Sequence, residues 1–381
     1  MSKDIAVICA DTHLAPRAWA GRPITGDAYY SFQQIVGAAC ERELDLIIAG
    51  DVLDTRQAGP ETVSVLLEGL TRLTVLGRRT FAIQGQHDMN ALPWTVVGGA
   101  EHLNRVPLTL GGRTFYGLDY QPAGKLQEEL DAIPPGVDVL VAHQVWEDFM
   151  GLRAGPQGAF ADVPRVPLML TGDFHERKIV RTHGKDGQAL TVLSPGSTCL
   201  QEISEPSVKC YGVLSDDLRV KWLALDTRTV IRWPDILTPE DLEKFLDEID
   251  QDLGDDAAMA SSLPKELRTP LLRVVYTHHQ PDVPHRVRRA VGARAHLFFK
   301  ELAPDRPAPP LQREGRSLTL VGCLPEVVDP RKDKDLYALA TRMLTAEDVV
   351  GEVNAWVAEM TSEDEEDADE PAEAAAVADP A

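Results

Sequence analysis

Nowhere do the 381 residues string together the roughly 18 consecutive apolar positions that a membrane helix needs, so a spanning segment is not expected. The five cysteines (Cys9, Cys40, Cys199, Cys210, Cys323) form no CxxC pair and are odd in number. That sets aside a disulfide framework and reads as reduced core thiols in a cytoplasmic protein. No internal repeat is visible, which removes solenoids and propellers. The chain reaches Asp11-Thr12-His13 too soon to leave room for a cleavable signal. Positive charge is also scarce: 38 Lys and Arg stand against 60 Asp and Glu, a formal charge of -22. Nucleic-acid binders usually carry a basic footprint, so this balance opposes a nucleic-acid function. Two features soften it. Residues 362 to 381 hold nine acids and no Lys or Arg, an acidic tail expected to stay disordered. Carboxylates that hold divalent ions also count as negative until the ions neutralise them.

Against these absences stand five short clusters of Asp, His, amide and Gly residues in a fixed order. They are Asp11-Thr12-His13, Gly50-Asp51-Val52-Leu53-Asp54, Gly85-Gln86-His87-Asp88, Ala142-His143-Gln144 and Gly172-Asp173-Phe174-His175. Each follows an apolar run that reads as a buried strand: Ile5 to Ala10, Leu44 to Ala49, Thr80 to Gln84, Val137 to Val141 and Leu168 to Thr171. Hard ligands would therefore emerge together at strand ends. A single such cluster is weak, because Asp and Gly are common in strand-end turns; five in order are hard to obtain by chance.

The organisation follows from periodicity. Residues 1 to 225 alternate strand runs with helical patterns (Ser31 to Glu43, Pro60 to Leu76, Gly124 to Ile133), with Ser31 able to cap and Pro60 suited to a first turn. This predicts an α/β layered domain. From 233 to 324 the pattern changes to an amphipathic helix bearing Leu242, Phe245, Leu246, Ile249 and Leu253. Strand candidates follow at Leu271 to Tyr276, His296 to Phe299 and Ser317 to Val321, giving a small α+β unit. A pair of helical patterns occupies 335 to 360, between a Pro/Arg-rich connector and the acidic tail.

Two divalent ions about 3.5 to 4 Å apart can hold a phosphate oxygen and a water, lower the pKa of that water and stabilise in-line displacement. They need hard oxygen ligands and imidazole, with one carboxylate able to bridge. Asp11 and His13, two apart on an extended segment, can chelate one ion, and Asp51, ending the next strand, is the natural bridge. Gln86, His143 and Asp173 would serve the second ion, while His175 returns to the first. His87 sits beside this set without having to be a ligand and suits proton donation to the leaving oxygen, with Asp88 orienting its ring. Asp54 reads as a support to the loop. His102, His183, His278, His279, His285 and His296 lack such context and read as surface or packing residues.

The ordered set resembles the calcineurin-like metallophosphoesterase superfamily, whose usual motifs are DxH, GDxxD, GNH[DE], a lone His and GHxH. Within it, Ala142-His143-Gln144-Val145-Trp146 and Ser194-Pro195-Gly196-Ser197-Thr198, followed by Glu202 and Glu205, resemble the SbcD-like nuclease subunits of double-strand-break repair complexes, the meiotic recombination nuclease family. The resemblance implies a four-layer β-sandwich flanked by helices, a small α+β capping domain over the metals and a C-terminal helix pair. It also implies manganese, or magnesium, at two sites, DNA as substrate, a homodimer and an SbcC-type coiled-coil ATPase partner docked on 335 to 360. Two positions depart from the pattern: Gln86 stands where Asn is usual, and Asp173 where the first His of GHxH is usual. Both belong to the second ion, which should find a harder and more anionic site. Such a coupled change fits a viral or otherwise divergent branch.

DNA contacts are read from composition. The loop from Leu14 to Tyr30 holds Arg17, Trp19 and Arg22, suited to phosphate contact and base stacking and equally to a polar surface loop. His285, Arg286, Arg288, Arg289 and Arg294 form the densest basic run, a DNA-contact face or a solvated helix face. The apolar stripe from Val349 to Met360 fits a partner helix or its own core. The reading favoured is a metal-dependent DNA exonuclease and endonuclease. Its rivals are a phosphoesterase for small nucleotides or phosphoproteins, and a non-catalytic subunit that tethers an ATPase to DNA.

Overall fold

The computed structural model describes residues 2–16, 25–122, 124–150, 158–259 and 263–302, with backbone only at 150 and from 255 to 259. Contacts divide the chain into Met1–Pro304 and Asp305–Ala381. Arg17, Trp19 and Arg22, the strand expected at Ser317 to Val321, the 335–360 helix pair and the acidic tail lie outside the described residues.

Two six-stranded mixed sheets form the body. The first runs β12 (Val220–Ala224), β11 (Cys210–Ser215), β1 (Asp4–Cys9), β2 (Asp45–Ala49), β3 (Thr80–Ile83) and β4 (Glu101–His102). The second runs β5 (Leu108–Leu110), β6 (Arg113–Leu118), β7 (Val139–His143), β8 (Leu168–Gly172), β10 (Ala189–Ser194) and β9 (Lys178–His183). The β1–β2–β3 and β6–β7–β8 pairings are parallel, and parallel strands buried on both faces read as continuous apolar runs.

Alternation along each strand sends neighbours into different cores. From β1, Ala6 and Ile8 enter the core between the sheets, while Val7 and Cys9 enter the core under the helices α1 (Asp27–Glu41) and α2 (Pro60–Val75). From β7, Val139 and Val141 face the first sheet, while Leu140 and Ala142 pack with Leu126 and Leu130 of α4 (Leu126–Asp131), Trp146 and Phe160. Short helices α3 (Trp94–Val97) and α5 (Glu147–Met150) complete this part. The result is helix, sheet, sheet, helix: the expected four layers, consistent with a metallophosphoesterase fold.

Helix α1 begins earlier than predicted. Ser31 does not cap it but lies buried inside it, and Gly26, with φ of 92°, makes the entry turn ahead of Asp27. Asp27 in the first turn suits the helix dipole. Pro60 does open α2.

Beyond the sandwich, β13 (Val230–Arg232), β14 (Leu271–Thr277) and β15 (His296–Leu302) pair in parallel, linked through α6 (Pro239–Met259) and α7 (Val283–Val291). This parallel βαβαβ order is α/β where the sequence pattern suggested α+β, because each of the first two strands is followed by a crossover helix that brings the chain back parallel to it. Its core gathers the predicted Leu242, Phe245, Ile249 and Leu253 with Leu272, Val274, Val283 and Val287. Buried Arg228 fastens the unit to the sandwich: its guanidinium makes two 3.0 Å bonds to the Asp27 carboxylate and donates to the carbonyls of Thr25 and Thr269. Among the described residues no helix is long and apolar enough to cross a membrane.

Candidate metal centre

All five clusters arrive at one end of the two sheets, four on turns that follow strands and His143 as the last residue of β7. The turns are held tightly: Asp11 N–H donates to Gly50 O, His13 N–H to Asp51 O and Leu14 N–H to Val52 O at 3.1, 3.0 and 2.9 Å. Asp11, His13, Asp51 and Asp173 all adopt positive φ (50°, 41°, 47° and 82°). Few non-glycine residues accept that conformation, and its concentration at candidate ligands is how strained turns mark functional sites. The glycines of the motifs serve close approach. A Cβ on Gly85 would lie 2.0 Å from Asp51 Oδ1, and one on Gly50, with φ of 83°, would lie 2.3 Å from His143 Nδ1.

Each of the three histidines turns Nδ1 toward an oxygen. His143 Nδ1 lies 2.8 Å from Ala49 O, His175 Nδ1 lies 3.1 Å from Glu205 Oε1, and His13 Nδ1 lies 3.4 Å from Asp54 Oδ1. His143 and His175 hydrogen-bond through Nδ1, which leaves their Nε2 lone pairs for the cleft, as metal-binding imidazoles are commonly fixed, while His13 Nδ1 approaches Asp54 without a hydrogen bond. His13 Nε2 and His175 Nε2 converge to 3.2 Å. Asp51 Oδ2 stands 3.3 Å from His143 Nε2 and 3.9 Å from His13 Nε2, between the two halves of the site as a bridge must. Asp11, His13 and His175 form one compact triad of donor atoms, Asp11, Asp51 and His143 another, and His13, Asp54 and His87 a third toward the cleft edge. Asp11 thus belongs to both halves, where the sequence placed it in the first alone.

Five buried atoms of the candidate ligands lack any hydrogen bond: Asp11 Oδ2, His13 Nδ1, Asp51 Oδ2, Gln86 Oε1 and His143 Nε2. Buried polar atoms are rarely left so, and a cation is the partner that satisfies carboxylate, amide oxygen and imidazole nitrogen together. The electrostatics agree. Burial alone would push the His143 pKa down, yet the surrounding Asp51, Asp11 and Asp173 raise it to about 10. Burial raises Asp51, but His143, His13 and the His87 amide outweigh it and hold the carboxyl at about 2. Burial raises Asp11 despite the three histidines beside it. So many carboxylates around so little positive charge call for added cations.

The second half is less compact. Gln86 Nε2 donates a short hydrogen bond to Asp173 Oδ1, turning its own Oε1 free, while Asp173 N–H donates to Asp11 Oδ1 at 3.0 Å. The two substituted residues therefore contact each other, though Asp173 joins none of the three triads among the described residues.

Asp88 does not orient His87. Its carboxylate accepts from the N–H groups of Gly85 (2.8 Å) and Val52 (2.7 Å), tying two motif turns together; burial, with Asp51 nearby, raises its pKa to about 6. Instead, His87 Nδ1 lies 2.9 Å from Asp54 O, and the exposed ring stands edge-on to His13 with centroids 5.0 Å apart. Sequence adjacency misled here because consecutive side chains in a turn point apart.

Two residues outside the predicted ligand set, Glu205 and Lys209, support it. Glu205 accepts from His175, from the Gln201 N–H at 3.1 Å and from buried Lys209 at 2.7 Å, and these partners overcome burial to hold it at about 2. An acid four residues before a buried Lys was the available signal. Gln86, His87, Asp173, Phe174, His175 and Glu205 open onto a cleft of about 520 Å³. On α7, Arg286 pairs with Glu243 at 2.8 Å, Arg288 lies over the Phe299 ring and Arg289 is exposed; beyond the helix, Arg294 pairs with Asp250 at 2.7 Å. The basic run is therefore partly neutralised by α6.

Sequence comparison adds an independent line. No family model matches. The chain is 26% identical over 246 residues to the DNA double-strand break repair protein Mre11 of Methanosarcina acetivorans, covering 60% of this chain and 39% of that protein. It is 28% identical over 233 residues to the same-named protein of Haloferax volcanii, covering 57% and 51%. The chain has Mre11-like homologues. The match spans about half or less of these Mre11 proteins' length. Among solved structures, the protein TT1561 of Thermus thermophilus aligns with a TM-score of 0.37 at 12% identity, covering 58% of this chain and 98% of that one.

Proposed function

We propose that this chain is the nuclease subunit of an SbcCD-type repair complex, a two-metal DNA phosphodiesterase acting as a homodimer with a coiled-coil ATPase. The carrying observation is that Asp11, His13, Asp51, His143 and His175 form two overlapping donor triads, with Gln86 Oε1 buried and unpartnered, in a chain whose relatives are Mre11 proteins. Asp11, His13 and His175 would hold one ion and Asp51, His143, Gln86 and Asp173 the other, with Asp51 facing both. Divalent ions there, manganese or magnesium, would supply an activated water and neutralise charge on the phosphate.

The remaining steps belong to the chain. Asp54 O holds Nδ1 of His87, leaving Nε2 of an exposed imidazole to protonate the departing sugar oxygen. Ala49 O and Glu205 keep the His143 and His175 rings aimed. The Gln86–Asp173 contact favours one rival specifically: if that pair holds its ion weakly, the subunit tethers an ATPase to DNA without cutting.

End-labelled duplex and single-stranded DNA, incubated with manganese, magnesium or chelator, with and without the ATPase, separates the readings. Cleavage that needs metal is expected, and His87→Ala should lower it about 10²- to 10⁴-fold with metal content unchanged. Hydrolysis of a small phosphodiester with DNA left intact would favour a small-nucleotide enzyme. Partner binding without cleavage under any divalent ion would favour the tether.

A further inference from the structure

The side chain between Asp173 and His175 is Phe174, which lines the cleft and joins none of the apolar cores. Its ring stacks on Phe149 with centroids 4.6 Å apart and planes 20° from parallel. Phe149 stands edge-on to Phe160 at 5.0 Å, and Phe160 leans on fully buried Trp146 at 5.6 Å. Trp146 Nε1–H donates to Thr171 Oγ1 at 2.8 Å, and Thr171 lies on the strand that carries Asp173 and His175 to the site. The stack is therefore anchored to the element that positions the candidate ligands. Lys178 Nζ stands 5.3 and 5.5 Å from the Phe149 and Phe174 centroids. Exposed Arg177, Lys178 and Arg181 follow along β9, an edge strand paired only with β10.

The partly exposed Phe174 ring leaves apolar surface in water at the cleft unless something flat covers it. A nucleobase is such a group; stacking on an aromatic ring is indifferent to sequence and is worth about 10- to 100-fold in affinity per base. A base inside a duplex already has both faces covered, so an aromatic surface of this kind selects an unpaired one.

We propose that Phe174, backed by Phe149, is a stacking platform for an unpaired nucleobase next to the scissile phosphate, and that the strand leaves the cleft along β9 past Lys178, whose ammonium stands beside both rings. The proposal rests on the nuclease reading and narrows its substrate to a single strand or frayed end.

The test reads binding, not turnover. A single-stranded oligonucleotide with 2-aminopurine at its terminal nucleotide is titrated with the full chain in calcium, and the quenching caused by stacking is followed. Wild type should quench the probe; Phe174→Leu should weaken binding at least 10-fold and lose the quench, and Phe174→Trp should keep both. An oligonucleotide abasic at that nucleotide should bind wild type as weakly as the intact probe binds the Leu variant. Equal binding and quenching by wild type and Phe174→Leu, or equal affinity for intact and abasic strands, would overturn the platform. Affinity for free deoxyadenosine monophosphate matching that for the strand would overturn the track along β9. A protein that quenches the probe yet never cuts DNA with manganese leaves the platform standing and sinks the nuclease reading; one that cuts without quenching does the reverse.

Discussion

At the scale of single residues, the candidate metal centre depends on side chains that touch no ion. Glu205 is the clearest. Its carboxylate aims His175 and neutralises buried Lys209, so Glu205→Gln weakens both contacts at once. Removing such a support typically costs a metal site about 10- to 100-fold in affinity, and leaving one partner of a buried ion pair uncompensated costs about 3 to 5 kcal/mol. Manganese titration calorimetry and thermal melts of the variant should show both losses; unchanged manganese affinity would mean that His175 needs no such orientation. The ligands themselves were legible in sequence because each combines a distinctive residue type with a preceding apolar run. Phe174 was not, since its stacking partner Phe149 lies far along the chain, and Lys209 was not, since an acid four residues before a Lys is common on solvated surfaces and its burial is set by long-range packing.

Elements were legible in proportion to how completely they are buried. The central strands β1, β2, β7 and β8 are apolar on both faces, so their sequences announce them. The start of α1 was not, because a serine near a helix entry reads as a cap whether or not it is buried. Nor were the ties between sheets. Asp119, at the end of β6 in the second sheet, accepts from the Gln84 N–H beyond β3 at 2.8 Å and lies 2.9 Å from His102 Nε2 on β4, both in the first. The Asp119 hydrogen bond raises the His102 pKa against the opposing effect of burial. A folded pKa above the unfolded value of about 6.5 means the pair contributes fully below that pH and fades as pH rises through the folded value. The melting temperature of wild type should therefore exceed that of His102→Asn most at pH 5.5, and the gap should close toward pH 9. A gap that widens with pH would show that His102 is held as the neutral ring.

For Met1–Pro304 as a whole, the question is whether the small βαβαβ unit and the sandwich act together. Two contacts say they do. Leu271 packs on Leu200, and Arg232 Nη2 donates to the carbonyls of Ile203 and Glu205, the turn whose carboxylate aims His175. The strongest tie is Arg228, with its charge almost wholly buried against Asp27. Arg228→Met keeps much of the volume but leaves Asp27 unpaired and frees the Thr25 and Thr269 carbonyls. A loss of about 3 to 5 kcal/mol is expected, and it should fall on the coupling between units, since neither core contains Arg228. The smaller unit has the smaller core and should melt first. Calorimetry should thus resolve one transition in wild type and two in the variant. Because the candidate ligands all lie in the sandwich, manganese should raise only the upper transition, in proportion to the logarithm of its concentration. A single transition in the variant, or a lower transition that climbs with manganese, would show that the units stay coupled without Arg228.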